Sequence, residues 1–246
     1  DAIKAMLRAT LATTMPSDWK IDGEARERDG VTQAWITFST KTGRGKGHIR
    51  LRGDRCWTLF TTLQSLKGFE EKAGRTREMG VQHGVFKNRE TWLERKLREG
   101  NSLGHTEQPY CLIVGGGQGG IALAARLRRL DVPAIVIEKN ERAGDSWRKR
   151  YRSLCLHDPV WYDHMPYLPF PDHWPVFSPK DKIGDWLEMY TKVMEVNYWS
   201  GTECTGARYD DATNEWDVAV KRNGEAIRLR PKQLVLATGM SGVPNM

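Results

Sequence analysis

The first 70 residues alternate between runs rich in apolar side chains and short polar turns. A stretch with helical character, from Ala2 to Met15, comes first. Three runs rich in β-branched and aromatic residues follow, and they cover residues 31–38, 47–52 and 56–63. Because turn residues separate these runs, we predict three antiparallel strands. The pattern is typical of a curved sheet that packs on a helix.

The pattern changes near residue 108 to that of an α/β unit. Residues 110–114 form a continuous apolar run, as a buried parallel strand requires. A glycine-rich turn follows, and residues 121–130 then combine alanine, leucine and arginine in a strong helix pattern. Residues 133–138 are again apolar, up to a final glutamate. This order predicts a βαβ unit.

The turn between the first strand and the helix has the spacing Gly-x-Gly-x-x-Gly. We expect Gly115 to allow a tight turn, Gly117 to let the backbone approach a pyrophosphate, and Gly120 to let the helix pack closely. The helix should begin near Gln118, so that its free N–H groups face the phosphates. Glu138 lies 21 residues after Gly117, where an acid binds a ribose hydroxyl and repels the extra phosphate of NADP. The alternative is a glycine-rich turn in an unrelated α/β protein, with Glu138 merely exposed.

Residues 71–107 are polar, and we expect them to connect two domains, residues 1–70 and 108–246. A short helix that starts near residue 89 should end at Gly100. Its apolar stripe is narrow, which favours a linker that docks on a domain over a helix that lies on a membrane surface.

Composition and charge narrow the functional classes. Hydrophobic residues make up 39% of the 246 residues and charged residues 28%, which is ordinary for a globular protein. The formal net charge is +7, but the cations are spread along the whole sequence. A solvated basic face is therefore the preferred interpretation, and no nucleic-acid partner is expected. No apolar run approaches the ~18 residues that cross a bilayer, so we expect no membrane partner and a cytoplasmic location.

The cysteines are too far apart to form a local site. Cys56, Cys111, Cys155 and Cys204 include no Cys-x-x-Cys pair, so no metal site and no local redox dithiol are predicted. Cys111 lies in an apolar run and is expected to behave as a small core residue.

The N-terminal pattern resembles the C-terminal part of an NTF2-like cone domain. The shared features are the order of helix, strand, glycine-rich turn, strand, the Gly53-Asp54 turn and a strand that contains Trp57. The resemblance implies a partial α+β domain whose antiparallel sheet provides either a pocket or a dimer surface. A homodimer therefore stays an option.

The region after Glu138 resembles the class B flavoprotein monooxygenases, which include flavin-containing, Baeyer–Villiger and YUCCA-like enzymes. Residues 144–148, Gly-Asp-Ser-Trp-Arg, are similar to the Gly-Gly-Thr-Trp segment of that group. Residues 151–157 are similar to its segment beneath the flavin, and residues 168–175 to its Pro-Phe-Pro-Asp loop. Ser178 is the predicted N-cap of the helix that follows. Residues 233–239 are similar to the strand that ends in Ala-Thr-Gly.

The fold class implied by these resemblances is α/β. It comprises an incomplete, Rossmann-like FAD-binding domain preceded by the partial NTF2-like sheet. The resemblance implies FAD as the cofactor of this chain, NADPH bound by a domain that the sequence lacks, and O2 with a small organic molecule as substrates. The implied activity is an NADPH-dependent monooxygenation, and we expect this portion alone to be inactive. We also expect residues 240–246, where the family's NADP domain would follow, to be poorly anchored.

The resemblance implies a set of FAD-binding residues. That set is Gly115, Gly117, Gln118, Gly119, Gly120, Glu138, Lys139, Trp147, Arg148, His157, Cys204, Thr238 and Gly239. His157 is also the candidate catalytic residue, because it stands where flavin-containing enzymes carry an Asn near the reactive edge of the flavin. It either donates a hydrogen bond to the reacting oxygen or the substrate, or it is a structural histidine that fixes the loop.

Two other functional classes stay open. A flavoprotein reductase without oxygenation would share the FAD site. A disulfide reductase is disfavoured, because residues 139–154 contain no cysteine. A non-catalytic binding module would combine an NTF2-like pocket with a vestigial FAD fold.

Overall fold

A computed structural model describes residues 2–81 and 83–240. The chain divides into two compact units, one that ends at Arg77 and one that begins at Glu78. We predicted poor anchoring for residues 240–246. Of these, residues 241–246 lie outside the part of the chain that the structure describes. No helix within the described ranges is long and apolar enough to span a bilayer.

The first unit is a four-stranded antiparallel sheet with one helix before it. Its elements are α1 (Ala2–Thr14), β1 (Ser17–Arg28), β2 (Val31–Ser39), β3 (Gly43–Arg52) and β4 (Arg55–Leu66). The strands pair in sequence order, β1-β2-β3-β4. The three predicted strands are confirmed as β2, β3 and β4. The polar sequence of β1 gave no strand signal, and all twelve of its residues are exposed.

The prediction that this sheet packs on its helix is wrong. No residue of α1 is buried, and its apolar Ile3 is 69% exposed. The sheet instead covers part of its apolar face with its own side chains. A Cβ at Gly45, for example, would overlap the ring of Phe38 from the neighbouring strand. Small residues on β3 thus let that ring lie flat on the sheet.

The second unit is built around a parallel sheet of order β11-β5-β6-β7. These strands are β5 (Cys111–Val114), β6 (Ala134–Ile137), β7 (Tyr198–Trp199) and β11 (Gln233–Leu236). The helices of this unit are α2 (Trp92–Ser102), α3 (Gln118–Arg129), α4 (Asp145–Arg148) and α5 (Lys180–Val193). Three further strands form an antiparallel sheet of order β10-β9-β8, namely β8 (Thr202–Asp210), β9 (Glu215–Arg222) and β10 (Glu225–Leu229).

The parallel sheet has an apolar layer on each face. On one face, Leu112 and Ile135 pack against Val218 and Val220 of the antiparallel sheet, and all four are fully or almost fully buried. On the other face lies α3, whose Ile121 packs with residues of α5. Burial of Cys111 at 4% exposure confirms its predicted role as a core residue, and that burial raises the pKa of its thiol. The result is a three-layer α/β arrangement.

The predicted boundaries of two helices are wrong. Helix α5 begins at Lys180 rather than directly after Ser178, because Ser178 is buried and its Oγ donates to the carbonyl of Pro175 at 3.2 Å instead of capping the helix. Helix α2 begins at Trp92, where Thr91 and Glu94 form a capping box. It also continues through Gly100, because a single glycine in a helix costs only about 1 kcal/mol.

Candidate dinucleotide-binding site

The glycine fingerprint lies at the carboxyl edge of the parallel sheet, between β5 and α3. Gly115 has φ +112°, and a Cβ there would overlap the carbonyl of Ala237 and lie 3.1 Å from the amide nitrogen of Thr238. This confirms the predicted tight turn at Gly115. The amide of Ala237 donates to the carbonyl of Val114 at 2.8 Å. The fold therefore brings the fingerprint beside the predicted Ala-Thr-Gly strand end.

Two glycines of the fingerprint have different surroundings. A Cβ at Gly120 would overlap the carbonyl of Gly115, which confirms its predicted role in close packing of the helix. A Cβ at Gly117 would meet only the Oγ of Ser146, at 3.8 Å. Gly117 also has an ordinary φ of −73°. Neither packing nor backbone conformation thus requires glycine at position 117, and the space beside it is open.

The N-terminus of α3 has the chemistry of an anion site. The helix begins at Gln118, as predicted. Its N-cap residue is Gly117, so no side chain of the N-cap binds the first N–H groups of the helix. Its first-turn N–H groups have no partner within the helix, and the helix dipole adds a partial positive charge. Together with the open space at Gly117, this end of the helix can receive a phosphate.

Ser146 is a candidate site residue that the sequence interpretation missed. Its Oγ is buried and has no hydrogen-bond partner among the described residues. It lies beside the open space at Gly117. A buried hydroxyl without a partner is rare in proteins, because it carries a desolvation cost that a ligand oxygen would offset. The signal was present in the sequence, since Ser146 aligns with the Thr of the Gly-Gly-Thr-Trp segment.

Helix α4 brings the predicted Trp147 to the fingerprint. The indole Nε1 of Trp147 donates to Oε1 of Gln118 at 3.0 Å, which ties α4 to the first residue of α3. Helix α4 starts after Gly144, which has φ +86° and would overlap the carbonyl of Gly184 in α5 if it carried a Cβ. Only glycine permits this close approach of α4 to α5.

Arg148 is held by acidic residues. Its guanidinium donates to Asp145 at 3.0 Å, to Asp185 at 2.8 Å and to Glu188 at 2.9 Å, and its side chain is 11% exposed. Burial acts to raise the pKa of Asp145, but the hydrogen bonds from Arg148 and Arg142 hold that pKa below its ordinary value. This cluster fastens α4 to α5. Arg148 thereby fixes the position of Trp147, its neighbour in sequence.

Glu138 lies at the end of β6 and faces the fingerprint turn. It is 8% exposed. One carboxylate oxygen accepts a hydrogen bond from the amide of Gly116 at 2.8 Å, and the other accepts two from Asn140, at 2.9 and 2.7 Å. Tyr198 donates to the carbonyl of Gly116 at 3.3 Å, and burial raises the pKa of its phenol. The carboxylate is thus rigidly aimed at the turn, while its neighbour Lys139 is exposed.

The remaining predicted residues lie further along the chain. His157 is exposed in the loop between α4 and α5, and its Nε2 is 3.5 Å from the hydroxyl of Tyr151. Cys204 lies on β8, half-buried against the apolar layer between the two sheets. Thr238 and Gly239 are exposed after β11. The structure records no contact of His157 or Cys204 with the fingerprint among the described residues.

The fold of the second unit is that of a Rossmann-like domain. A model of the NAD(P)-binding Rossmann-like domain family matches residues 113–171, which contain the fingerprint, Glu138 and α4. This confirms the predicted fold class for that region.

Comparison with curated relatives shows which kind of Rossmann-like protein this region resembles. Over 129 residues the chain is 35% identical to the probable indole-3-pyruvate monooxygenase YUCCA9 of Arabidopsis thaliana, covering 52% of this chain and 31% of that protein. Over 139 residues it is 35% identical to the indole-3-pyruvate monooxygenase YUCCA1 of Oryza sativa subsp. japonica, covering 56% of this chain and 34% of that protein. The chain thus spans about a third of the length of these relatives. For the part of the chain they cover, these similarities confirm the predicted resemblance to class B flavoprotein monooxygenases.

Two solved structures are also similar to part of this chain. The crystal structure of OTEMO in complex with FAD and NADP (form 4) has a TM-score of 0.49 at 22% identity, covering 57% of this chain and 27% of that chain. The flavin-containing monooxygenase from Stenotrophomonas maltophilia has a TM-score of 0.48 at 19% identity, covering 53% and 38%. The predicted NTF2-like character of the first unit stays a prediction.

Proposed function

We propose that the second unit binds FAD at the glycine fingerprint. The observation that carries this proposal is the open N-terminus of α3, where the space beside Gly117 adjoins the unpartnered hydroxyl of Ser146. Glu138 supplies an acid at the neighbouring strand end. We further propose that the chain is the FAD-binding portion of an NADPH-dependent monooxygenase that inserts one oxygen atom from O2 into a small organic substrate.

The described residues fit FAD at its pyrophosphate and its ribose. The N–H groups at the start of α3 and the Ser146 hydroxyl would donate to pyrophosphate oxygens. Glu138 already accepts three hydrogen bonds, and a carboxylate has about four lone-pair sites, so it retains room for a ribose hydroxyl. Its negative charge disfavours a 2′-phosphate, which supports FAD rather than NADP at this position.

The protein's contribution to the reaction is orientation and shielding. Bound FAD would supply hydride acceptance and oxygen-atom transfer, which protein side chains cannot perform. Trp147 would cover the start of the site, because its hydrogen bond to Gln118 places the indole at the end of α3. His157 is the proposed hydrogen-bonding group for the reacting oxygen or the substrate, since an imidazole can both donate and accept.

The relatives support a monooxygenase over a flavoprotein reductase or a non-catalytic binding module. They carry the name monooxygenase, and the NADPH, O2 and small-molecule substrate of this proposal follow from that class. A cytoplasmic location and a homodimer formed through the first unit stay part of the proposal.

Oxygen uptake with NADPH separates the three classes. The experiment uses the longest natural protein that contains this chain, loaded with FAD, with indole-3-pyruvate and a panel of amines, sulfides and ketones as candidate substrates. A monooxygenase consumes NADPH and O2 together and yields an oxygenated product. NADPH oxidation without an oxygenated product from any compound would indicate a reductase, and no flavin binding at all would indicate a binding module.

A further inference from the structure

One face of the sheet in the first unit carries a column of cations. Strand β3 places the cations Arg44, Lys46, Arg50 and Arg52, with His48 in the middle, at alternate positions, and alternate residues of a strand share a face. The intervening residues include the buried Gly45 and Gly47 and lie on the other face. We call the cationic side of this sheet the basic face.

An aromatic row crosses the middle of the basic face. The register places Trp35 of β2 opposite His48 of β3, and His48 opposite Phe60 of β4. Trp35 is 46% exposed and Phe60 is 58% exposed. Large, half-exposed rings in the centre of a charged sheet face are not explained by a hydrophobic core, since they leave much of their apolar area in water.

A third ring lies at one end of the column under two cations. The guanidinium groups of Arg50 and Arg52 lie 4.3 and 3.8 Å from the ring centroid of Trp57. The Nε of Arg50 is buried without a hydrogen-bond partner in the described structure. Such stacking fixes the cations at defined positions on the face.

Carboxylates balance only part of this charge. Lys46 pairs with Asp22 at 2.7 Å and Arg44 pairs with Glu70 at 2.8 Å, and all four side chains are at least 40% exposed. Exposed pairs of this kind contribute about 0–1 kcal/mol, so a polyanion can replace the carboxylates.

The net positive charge of the chain belongs almost entirely to the first unit. Residues 1–77 contain fifteen Lys and Arg against nine Asp and Glu, a net charge of +6. Residues 78–246 contain twenty-three against twenty-two, a net charge of +1. The expectation of no nucleic-acid partner depended on cations being scattered along the sequence, and the register of the sheet removes that reason.

We propose that the basic face binds single-stranded nucleic acid, with phosphates along β3 and bases stacked on Trp35 and Phe60. A row of cations and exposed rings beside it are the two features that such binding combines. A second copy of this face is disfavoured as the occupant, because a two-fold contact would oppose like charges. An anionic membrane is disfavoured because the rings lie among cations in the centre of the sheet instead of forming an apolar side.

Fluorescence anisotropy with a labelled oligo(dT) of about 12 nucleotides tests the proposal on the whole chain. Thymine is used because an adenine base could enter the proposed FAD site. We expect binding that weakens steeply with salt, with a slope of log K against log salt of about −0.7 for each phosphate contacted. Neutralising two exposed cations, R44Q with R52Q, should reduce that slope by about 1.4. Phe60→Ala should weaken binding about tenfold with little change in slope.

The matched control is R208Q with K221Q, which removes two exposed cations from the antiparallel sheet of the second unit. It should retain parental binding. Circular dichroism and FAD retention, both expected to be unchanged in all variants, report folding and the proposed flavin site separately. Parental affinity in both the R44Q/R52Q and Phe60→Ala variants would overturn the proposal. So would binding to phosphatidylserine vesicles without binding to the oligonucleotide.

Discussion

At the residue scale, two glycines of the candidate site differ in what surrounds them. Gly120 must be glycine because the protein's own backbone occupies the position of a Cβ, whereas at Gly117 only solvent-accessible space would be filled. Sequence spacing predicted both glycines in the turn between β5 and α3 and Glu138 at the end of β6, which is where the structure has them. The spacing also predicted the packing role of Gly120, which is confirmed, and the ligand approach at Gly117, which stays a prediction. It could not show that the space beside Gly117 is open, because that depends on neighbours that the fold brings in from residues far along the chain.

Ser146→Ala should weaken FAD binding without destabilising the FAD-free protein. The hydroxyl has no partner in the described structure, so its removal costs the fold nothing, while the lost hydrogen bond to a phosphate should reduce affinity by about 1–2 kcal/mol. Isothermal titration with FAD and thermal melts of the FAD-free protein measure the two effects. Ser17→Ala, which changes an exposed serine of the first unit, is the control. A Ser146→Ala variant that binds FAD like the parent would remove Ser146 from the site.

Glu138→Ala should weaken FAD binding by about 1–3 kcal/mol, since a charge-assisted hydrogen bond is lost at a buried position. It should also destabilise the FAD-free protein, because the amide of Gly116 loses its acceptor. Glu138→Gln keeps an acceptor oxygen and should fall between the parent and the alanine variant in both measurements. Equal FAD affinity in all three proteins would show that Glu138 does not hold the ribose.

At the element scale, the position of α4 depends on its contacts with α5. Close approach at Gly144 and the carboxylates around Arg148 hold the two helices together, and Trp147 extends from α4 to the fingerprint. The sequence indicated that this segment matters, and the resemblance assigned Arg148 to the cofactor. Its carboxylate partners could not be inferred, because Asp185 and Glu188 lie 37 and 40 residues later.

Arg148→Ala should therefore destabilise the second unit by about 2–3 kcal/mol, because Asp145 is left buried without its main partner. The folded pKa of Asp145 lies below its ordinary value, so its stabilising contribution is present above the ordinary pKa and is lost as the pH falls through the folded pKa. The difference in free energy of unfolding between parent and variant should thus be largest near neutral pH and smaller in acid. Urea unfolding at several pH values measures it. A gap that is independent of pH would exclude this role for Asp145.

At the scale of the whole molecule, the sequence predicted the βαβ part of the second unit better than it predicted the two antiparallel sheets. The βαβ pattern is local, and continuous apolar strands with a glycine turn leave few alternatives. The antiparallel strands β8, β9 and β10 were not predicted, and neither was β1. Most residues of β8 are exposed, as are all residues of β1. Neither strand therefore shows the alternation of buried apolar and exposed polar residues by which a strand is recognised in a sequence. The basic face could not be predicted from the sequence either, because it depends on the register of β2, β3 and β4.

The central claim is that FAD binds at the N-terminus of α3, and flavin retention by the Gly117→Val variant tests it most directly. The whole chain is incubated with FAD, freed of excess flavin and measured by its visible absorbance. Gly206→Val is the control, since Gly206 also has open space around it and lies on an exposed strand. We predict about one flavin for each parental and Gly206→Val chain, and none for Gly117→Val with an unchanged thermal melt. Equal flavin content in the two variants would contradict the account.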